Sequence, residues 1–264
     1  MSILRRSKAP LSQAAWAEVD EQARRCFEAT LSVRRFADID GPHGIEYFAA
    51  PSGRLSVPAT QPKSGARYGI AQVQPLVEMR VPFELNVWEL DNLTRGAKDV
   101  DLGPLETAAW EAARFEETAV YNGLEDAGIK ALAETSEHKP VSFGKDRTNM
   151  IPAVASAVTQ LQKSMVEGPY AMVVTEDVWH HLLSAVNGRP LIHHVEYILS
   201  GPVVFSPFVE RSMLASIRGG DFELVLGQDL SVGYESHTSE SVKLFFTESF
   251  TFRALDPKAL VFFE

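Results

Sequence analysis

The chain has 264 residues, 45% of them hydrophobic and 23% charged, and a formal net charge of −10. That composition excludes wholesale disorder, and the length allows a large core built as one big domain or two small ones. No block of Lys or Arg offsets the negative charge, which argues against a nucleic-acid partner held through its phosphates.

In chain order, Met1 to Pro10 carries basic residues with no apolar stretch behind them, unlike a signal peptide. No later run approaches the ~18 apolar residues of a membrane span. Ser12 precedes Trp16, Val19, Ala23, Phe27 and Leu31, an amphipathic helix with a serine cap that ends before Arg34-Arg35. The single cysteine, Cys26, lies in this helix as a small hydrophobe, and with no disulfide partner a reducing cytoplasm is the expected compartment. Gly41-Pro42 and Gly44 mark a turn, and from Pro51 to about Gln72 the chain is polar and turn-rich, a length a compact domain seldom keeps without a use for it. Val77, Met79, Val81, Phe83 and Leu85 alternate with polar residues and Pro82, which predicts a half-buried strand near a sheet edge.

Leu105, Ala108, Ala112, Phe115, Ala119 and Gly123 form a helical stripe beginning at Pro104, and its extension through Ile129 and Leu132 predicts a helix of about 25–30 residues, well above the usual length. Residues 137–149 read as loop. Helices are expected from Ile151 to Met165, Asp177 to Val186 and Leu191 to Leu199, with buried strands at Tyr170–Val174 and Val203–Phe205. From Arg218 to Glu235 the pattern is one of short strands: Gly219-Gly220 is a reversal, and Gly227 and Gly233 mark bends. In the last strand Glu248 shares a face with Leu244, Phe246, Phe250 and Phe252, which predicts a buried carboxylate paired with a cation.

Arg5-Arg6 with Ala9-Pro10-Leu11 and Trp16, Gly41-Pro42 with Glu46-Tyr47, Trp88 to Arg95-Gly96, Glu167-Gly168-Pro169-Tyr170, and Arg218 to Tyr234 together resemble the encapsulins, bacterial proteins that self-assemble into icosahedral nanocompartments. The resemblance spans essentially the whole chain. It implies an α+β fold of the tailed-phage major-capsid type, with an N-terminal helix and the start of a peripheral domain over 1–49, an extended loop over 50–76, a peripheral domain with a long spine helix over 77–136, an axial domain over 137–224, and a return to the peripheral domain over 225–264. It implies a shell of some 60 copies, the smallest icosahedral arrangement. It also implies a cargo enzyme, a ferritin-like iron oxidase or a dye-decolourising peroxidase, docked through a C-terminal targeting peptide.

For that peptide the resemblance implies a groove formed by Phe27, Leu31, Arg34, Phe36, Asp38 and Ile39 facing Asp229, Leu230 and Val232, with Arg34 and Asp38 fixing its polar backbone and ends. Read from the residues alone, Phe27 and Leu31 are plain core positions and Arg34–Asp38 a structural ion pair; it is the resemblance that favours the groove. Trp88 with Arg80 matches a flavin site in some encapsulins, which makes FMN or another flavin a candidate cofactor, although none is required. Arg189 stands here where those relatives carry a second aromatic side chain, and Trp88 also reads as an interface anchor. Asn187, Gly188 and Arg189 are either the lining of a five-fold pore that favours anions or a plain turn. His180-His181 and His193-His194 with Glu196 lack zincin spacing and read as surface or interface residues, and Asp99 with Asp101 as solvated carboxylates. No nucleophile–base pair and no phosphate loop appears, so no catalytic residue and no metal ligand is assigned. The alternatives are a flavin-binding shell that passes electrons to encapsulated iron, an enzyme, and a true phage capsid protein.

Overall fold

The computed structural model describes residues 3–144, 149–186 and 189–264. Its elements in order are α1 (Gln13–Thr30), β1 (Asp38–Asp40), β2 (Ala49–Ser56), β3 (Ile70–Pro75), β4 (Val77–Asn86), α2 (Val87–Arg95), α3 (Gly103–Tyr121), α4 (Leu132–Thr135), α5 (Met150–Lys163), β5 (Tyr170–Val174), α6 (Glu176–Leu183), β6 (Ala185–Val186), β7 (Arg189–Pro190), α7 (Leu191–Leu199), β8 (Val203–Phe205), β9 (Met213–Ser216), β10 (Phe222–Leu226), β11 (Ser231–His237), β12 (Ser241–Ala254) and β13 (Leu260–Phe262). This is an α+β arrangement around two sheets.

The first sheet is organised by β12. Along Ser241 to Phe250 it pairs with β4 on one side, and on the other side it meets β11 and then β10, with β1 added parallel to β10. β4 is therefore an edge strand, which is what allows Pro82 in its middle, opposite Phe245. α1 and α3 cover one face. Phe246 receives Phe27 edge-on at 5.1 Å between ring centroids and stacks with Phe83 at 4.9 Å, while Phe250 meets Phe115. α1 starts where the sequence indicates, with the Ala15 N–H donating to the Ser12 hydroxyl at 3.1 Å.

The second sheet runs β13-β9-β5-β8, with β5 and β8 parallel and the other pairs antiparallel. Its buried face shares one core with α5 and α7 through Val154, Leu161, Met172, Val195 and Leu214. It takes β13 from the C-terminal end, while β10 already belongs to the first sheet, so the second unit draws on chain outside 137–224.

Three expectations are corrected, and one, the extended loop, gains its internal structure. The spine helix does not run to Leu132: α3 stops at Tyr121, because Gly123 turns at φ +82 with the backbone N of Ala131 only 2.7 Å from where a Cβ would sit, and a 3-10 turn and α4 follow. The excursion over 50–76 is a two-stranded ribbon, β2 paired with β3, that holds Leu55, Val57, Ile70 and Val73 exposed. The helix expected over 177–186 ends at Leu183, and Ala185-Val186 form β6, paired antiparallel with β7. Gly233 is no bend but an interior residue of β11: a Cβ there would lie 2.3 Å from the Phe245 ring, so the aromatic fills the space a side chain would take.

Candidate docking groove

Between α1 and β11 lies a groove of about 870 Å3. Its apolar walls are Ala23, Phe27 and Leu31 from α1 and its exit, Leu230 and Val232 from the opposite strand, and Phe246 beneath. The N-terminal segment closes one end: Leu4 accepts a hydrogen bond from the Tyr234 N–H at 2.7 Å, and Arg6 is bonded to Asp20 with both nitrogens and stacked 3.9 Å over Trp16.

Six of the nine residues assigned to the docking site, Phe27, Leu31, Arg34, Asp229, Leu230 and Val232, line this groove. Three do not. Phe36 is core, packed on Phe222 and Tyr121. The Asp38 carboxylate accepts from the Gly220 N–H at 2.6 Å, and Ile39 pairs with Leu224 in β1 on the far side of the sheet. The expected Arg34–Asp38 pair is likewise replaced. Arg34 reaches down instead, its Nη2 lying 2.8 Å from Glu116 and 2.6 Å from Glu248 and its Nη1 2.9 Å from Asp229. Arg34 is thus committed to the floor of the groove.

That floor is an acidic cluster set in the apolar core. Glu248 is fully buried, and one of its carboxylate oxygens has no partner among the described residues. Burial and the charge of Glu116 hold its carboxyl well above the usual range against the pull of Arg34. The same bonds overcome the burial of Arg34 and keep its guanidinium charged. Next to it Glu117 accepts from the Val33 N–H at 2.8 Å and from the hydroxyls of Ser32 and Ser206, and burial pushes its pKa up to about 8. Tyr121 shares Ser32 with it, and burial followed by the charge of Glu117 raises the phenol. The pairing of Glu248 with a cation follows the expectation from its strand face. Sequence reasoning missed Glu116 and Glu117, although Glu116 stands four residues after Ala112 and four before Val120 on the buried stripe of α3.

The other assigned residues lie apart. Trp88 is the second residue of α2, its backbone N–H capped by Asn86, and it is 65% exposed with Arg95 at 5.8 Å from its ring. Arg80 bonds Glu78 at 3.1 Å and sits 4.9 Å over Phe245, and no hydrogen bond or ring contact joins it to Trp88 among the described residues. Asn187 and Gly188 lie outside the described residues, as does the side chain of Arg189, whose backbone pairs with Val186. A larger cleft of about 1300 Å3 opens between α6 and the C-terminus and takes in His180 and His181, but it contains none of the assigned docking residues. Among the described residues no group of three or more His, Cys, Asp or Glu is placed to hold a metal ion, and no helix is long and apolar enough to cross a membrane.

The two-sheet plan with its projecting ribbon is that of capsid subunits. A virus-like particle from Pyrococcus furiosus superimposes with a TM-score of 0.67 at 14% identity, over 96% of this chain and 98% of that one. The capsid of an empty GTA particle does so at 0.55 and 11%, over 89% and 96%. The fold is therefore of the tailed-phage major-capsid type. Residues 1–251 match the family described as encapsulating protein for peroxidase. The type 1 encapsulin shell protein of Rhodospirillum rubrum is 37% identical, with 99% of this chain and 96% of that protein aligned. That of Rhodococcus erythropolis is 36% identical over 99% of each. The chain belongs to the type 1 encapsulin shell proteins, whose copies assemble into capsid-like particles.

Proposed function

We propose that this chain forms a closed cytoplasmic shell of about 60 copies and loads a cargo enzyme by docking its C-terminal targeting peptide in the groove between α1 and β11. The observation that carries the reading is the convergence of Phe27, Leu31, Leu230 and Val232 on one apolar groove, although they are separated by some 200 positions in the chain. An amphipathic slot with a rigid polar floor suits capture of a short apolar segment. The ribbon β2–β3, with Leu55, Val57, Ile70 and Val73 exposed, suits contact with neighbouring copies, since so much apolar surface on a projecting hairpin is a liability in a monomer. The cargo is a ferritin-like iron oxidase or a dye-decolourising peroxidase, the second in keeping with the description of the matching family. A flavin-binding, electron-transferring shell is the alternative. Its support is the exposed ring of Trp88 alone, since Arg80 is held by Glu78 and Phe245.

Light scattering behind size exclusion tests assembly: a uniform megadalton particle is expected, and a monomer across several salt and pH conditions refutes it. Docking is tested by Leu31→Asp, which sets a charge on the apolar wall. Shells of normal size that lack cargo are expected, and cargo at wild-type occupancy would rule the groove out.

A further inference from the structure

The groove has a feature that its apolar walls do not explain. In the β11–β12 ladder, Ser231 faces Thr247, Val232 faces Phe246, Gly233 faces Phe245 and Tyr234 faces Leu244. The Tyr234 N–H points away from β12, because it donates to Leu4 at 2.7 Å. In an antiparallel pair the outward-facing residues alternate, so the N–H and C=O of Val232 also point away from β12, along the free edge of β11, while its buried side chain lines the groove under α1. No described residue bonds to either group. One position along this edge is thus already bonded to another segment, the turn at Leu4, and the adjacent position has no described partner.

Charge singles out a second position. Four arginines line the groove, and three are neutralised: Arg6 by Asp20 at 2.7 Å, Arg24 by Glu21 and Glu28 at 2.8 and 2.6 Å, and Arg34 by the three carboxylates of the floor. Arg35 is exposed and donates only to the backbone carbonyl of Glu28, at 3.1 Å, with no carboxylate partner among the described residues. The groove follows α1 from Asp20 to Leu31. At the helical rise that is about 16 Å, the length of about five residues of extended chain.

We infer that the groove takes one extended segment of about five residues as an added strand on the outer edge of β11, bonded to the N–H and C=O of Val232, with a carboxylate of the segment on Arg35. Alternate side chains of such a strand point to one side, so two or three apolar residues enter between Phe27, Leu31 and Leu230 while the intervening ones face the shell interior. The inference rests on the docking reading above and adds to it the backbone conformation and the charge of the partner.

The test compares shells of this chain produced alone with shells co-produced with the cargo found by mass spectrometry in native particles. On loading, hydrogen exchange at the Val232 amide is expected to slow by about tenfold or more, as for an amide gaining a strand partner, while Leu226 in the sheet interior stays unchanged. Val232→Pro removes the outward N–H without breaking a bond to β12. It is expected to assemble and to lower cargo occupancy by about tenfold, the loss of one hydrogen bond. Arg35→Glu lowers occupancy as well. Synthetic peptides of the cargo C-terminus, as free acid, as C-terminal amide, and with acidic side chains replaced by their amides, tell whether the terminal or a side-chain carboxylate meets Arg35. If Leu31→Asp empties the shell while Val232→Pro loads normally and the Val232 amide exchanges at the same rate with and without cargo, strand addition is wrong and groove docking stands. If Leu31→Asp itself loads normally, docking in the groove is wrong. Should Val232→Pro fail to assemble, the exchange rate in wild-type shells decides.

Discussion

Glu117→Gln separates a buried, proton-holding carboxyl from an ordinary hydrogen-bonded one. In the fold the Glu117 carboxyl has a pKa of about 8, against 4.5 for the free side chain, chiefly because burial disfavours its charge. The folded form therefore binds the proton more tightly than the unfolded one. The stability this contributes is fully present below pH 4.5, is lost progressively as the pH rises toward 8, and is constant above. Between pH 5 and pH 8 the loss is on the order of 4 kcal/mol, at 1.36 kcal/mol for each pH unit. For a chain of this size that is a fall in Tm on the order of 10 °C. The amide that this change introduces keeps an acceptor for the Val33 N–H and does not titrate, and the hydroxyls of Ser32, Ser206 and Tyr121 rotate to meet it. The assay is the Tm of assembled shells, wild type and variant, from pH 5 to pH 8.5. Subtracting one profile from the other cancels the pH dependence of Glu248 and of contacts between copies. The expected result is a wild-type curve that falls relative to the variant as the pH rises. Parallel curves across this range would show that Glu117 is ionised in the fold, and the argument from burial would fail.

Two further predictions concern the same core. Arg34→Met leaves Glu116 and Glu248 buried without their cation, and stability falls by about 3–5 kcal/mol; adding Glu248→Gln recovers part of it, a double-variant pattern readable in Tm that an exposed ion pair would not give. Gly233→Ala drives a methyl against the Phe245 ring and lowers stability by about 1–3 kcal/mol, and Phe245→Leu in the same chain relieves most of the loss.

What the sequence revealed and what it hid divide along the range of the interactions. The Ser12 cap, the alternation in β4 and the lone carboxylate on the apolar face of β12 depend on neighbours within a few positions, and each was readable. The partners of Arg34 were not. Asp38, four positions away, was the nearer guess, but the chain brings in Glu116, Asp229 and Glu248 from 82, 195 and 214 positions off. Gly123 continued the apolar stripe and so read as helix. Only the approach of Ala131, set by the turn that follows, shows why the helix must stop there. The ribbon over 49–75 was hidden for the opposite reason: among the described residues its strands pair only with each other, and they bury little, so it has no core face to set a clear alternation.

For the docking proposed above, the acidic floor bears on how tightly the groove would hold a peptide. Arg34 is tied to three carboxylates from α3, β12 and the strand entrance, so the floor is fixed before anything docks, and binding need not order it. The peptide has no such help. Ordering about five flexible residues costs roughly 5–10 kcal/mol of backbone entropy, which two or three buried apolar side chains at about 1.5–3 kcal/mol each, together with the edge hydrogen bonds, offset with little to spare. A single groove is then a weak site. On the docking proposed above, a multimeric cargo with several tails would engage several grooves of one shell at once, so effective concentration would multiply what each contact contributes.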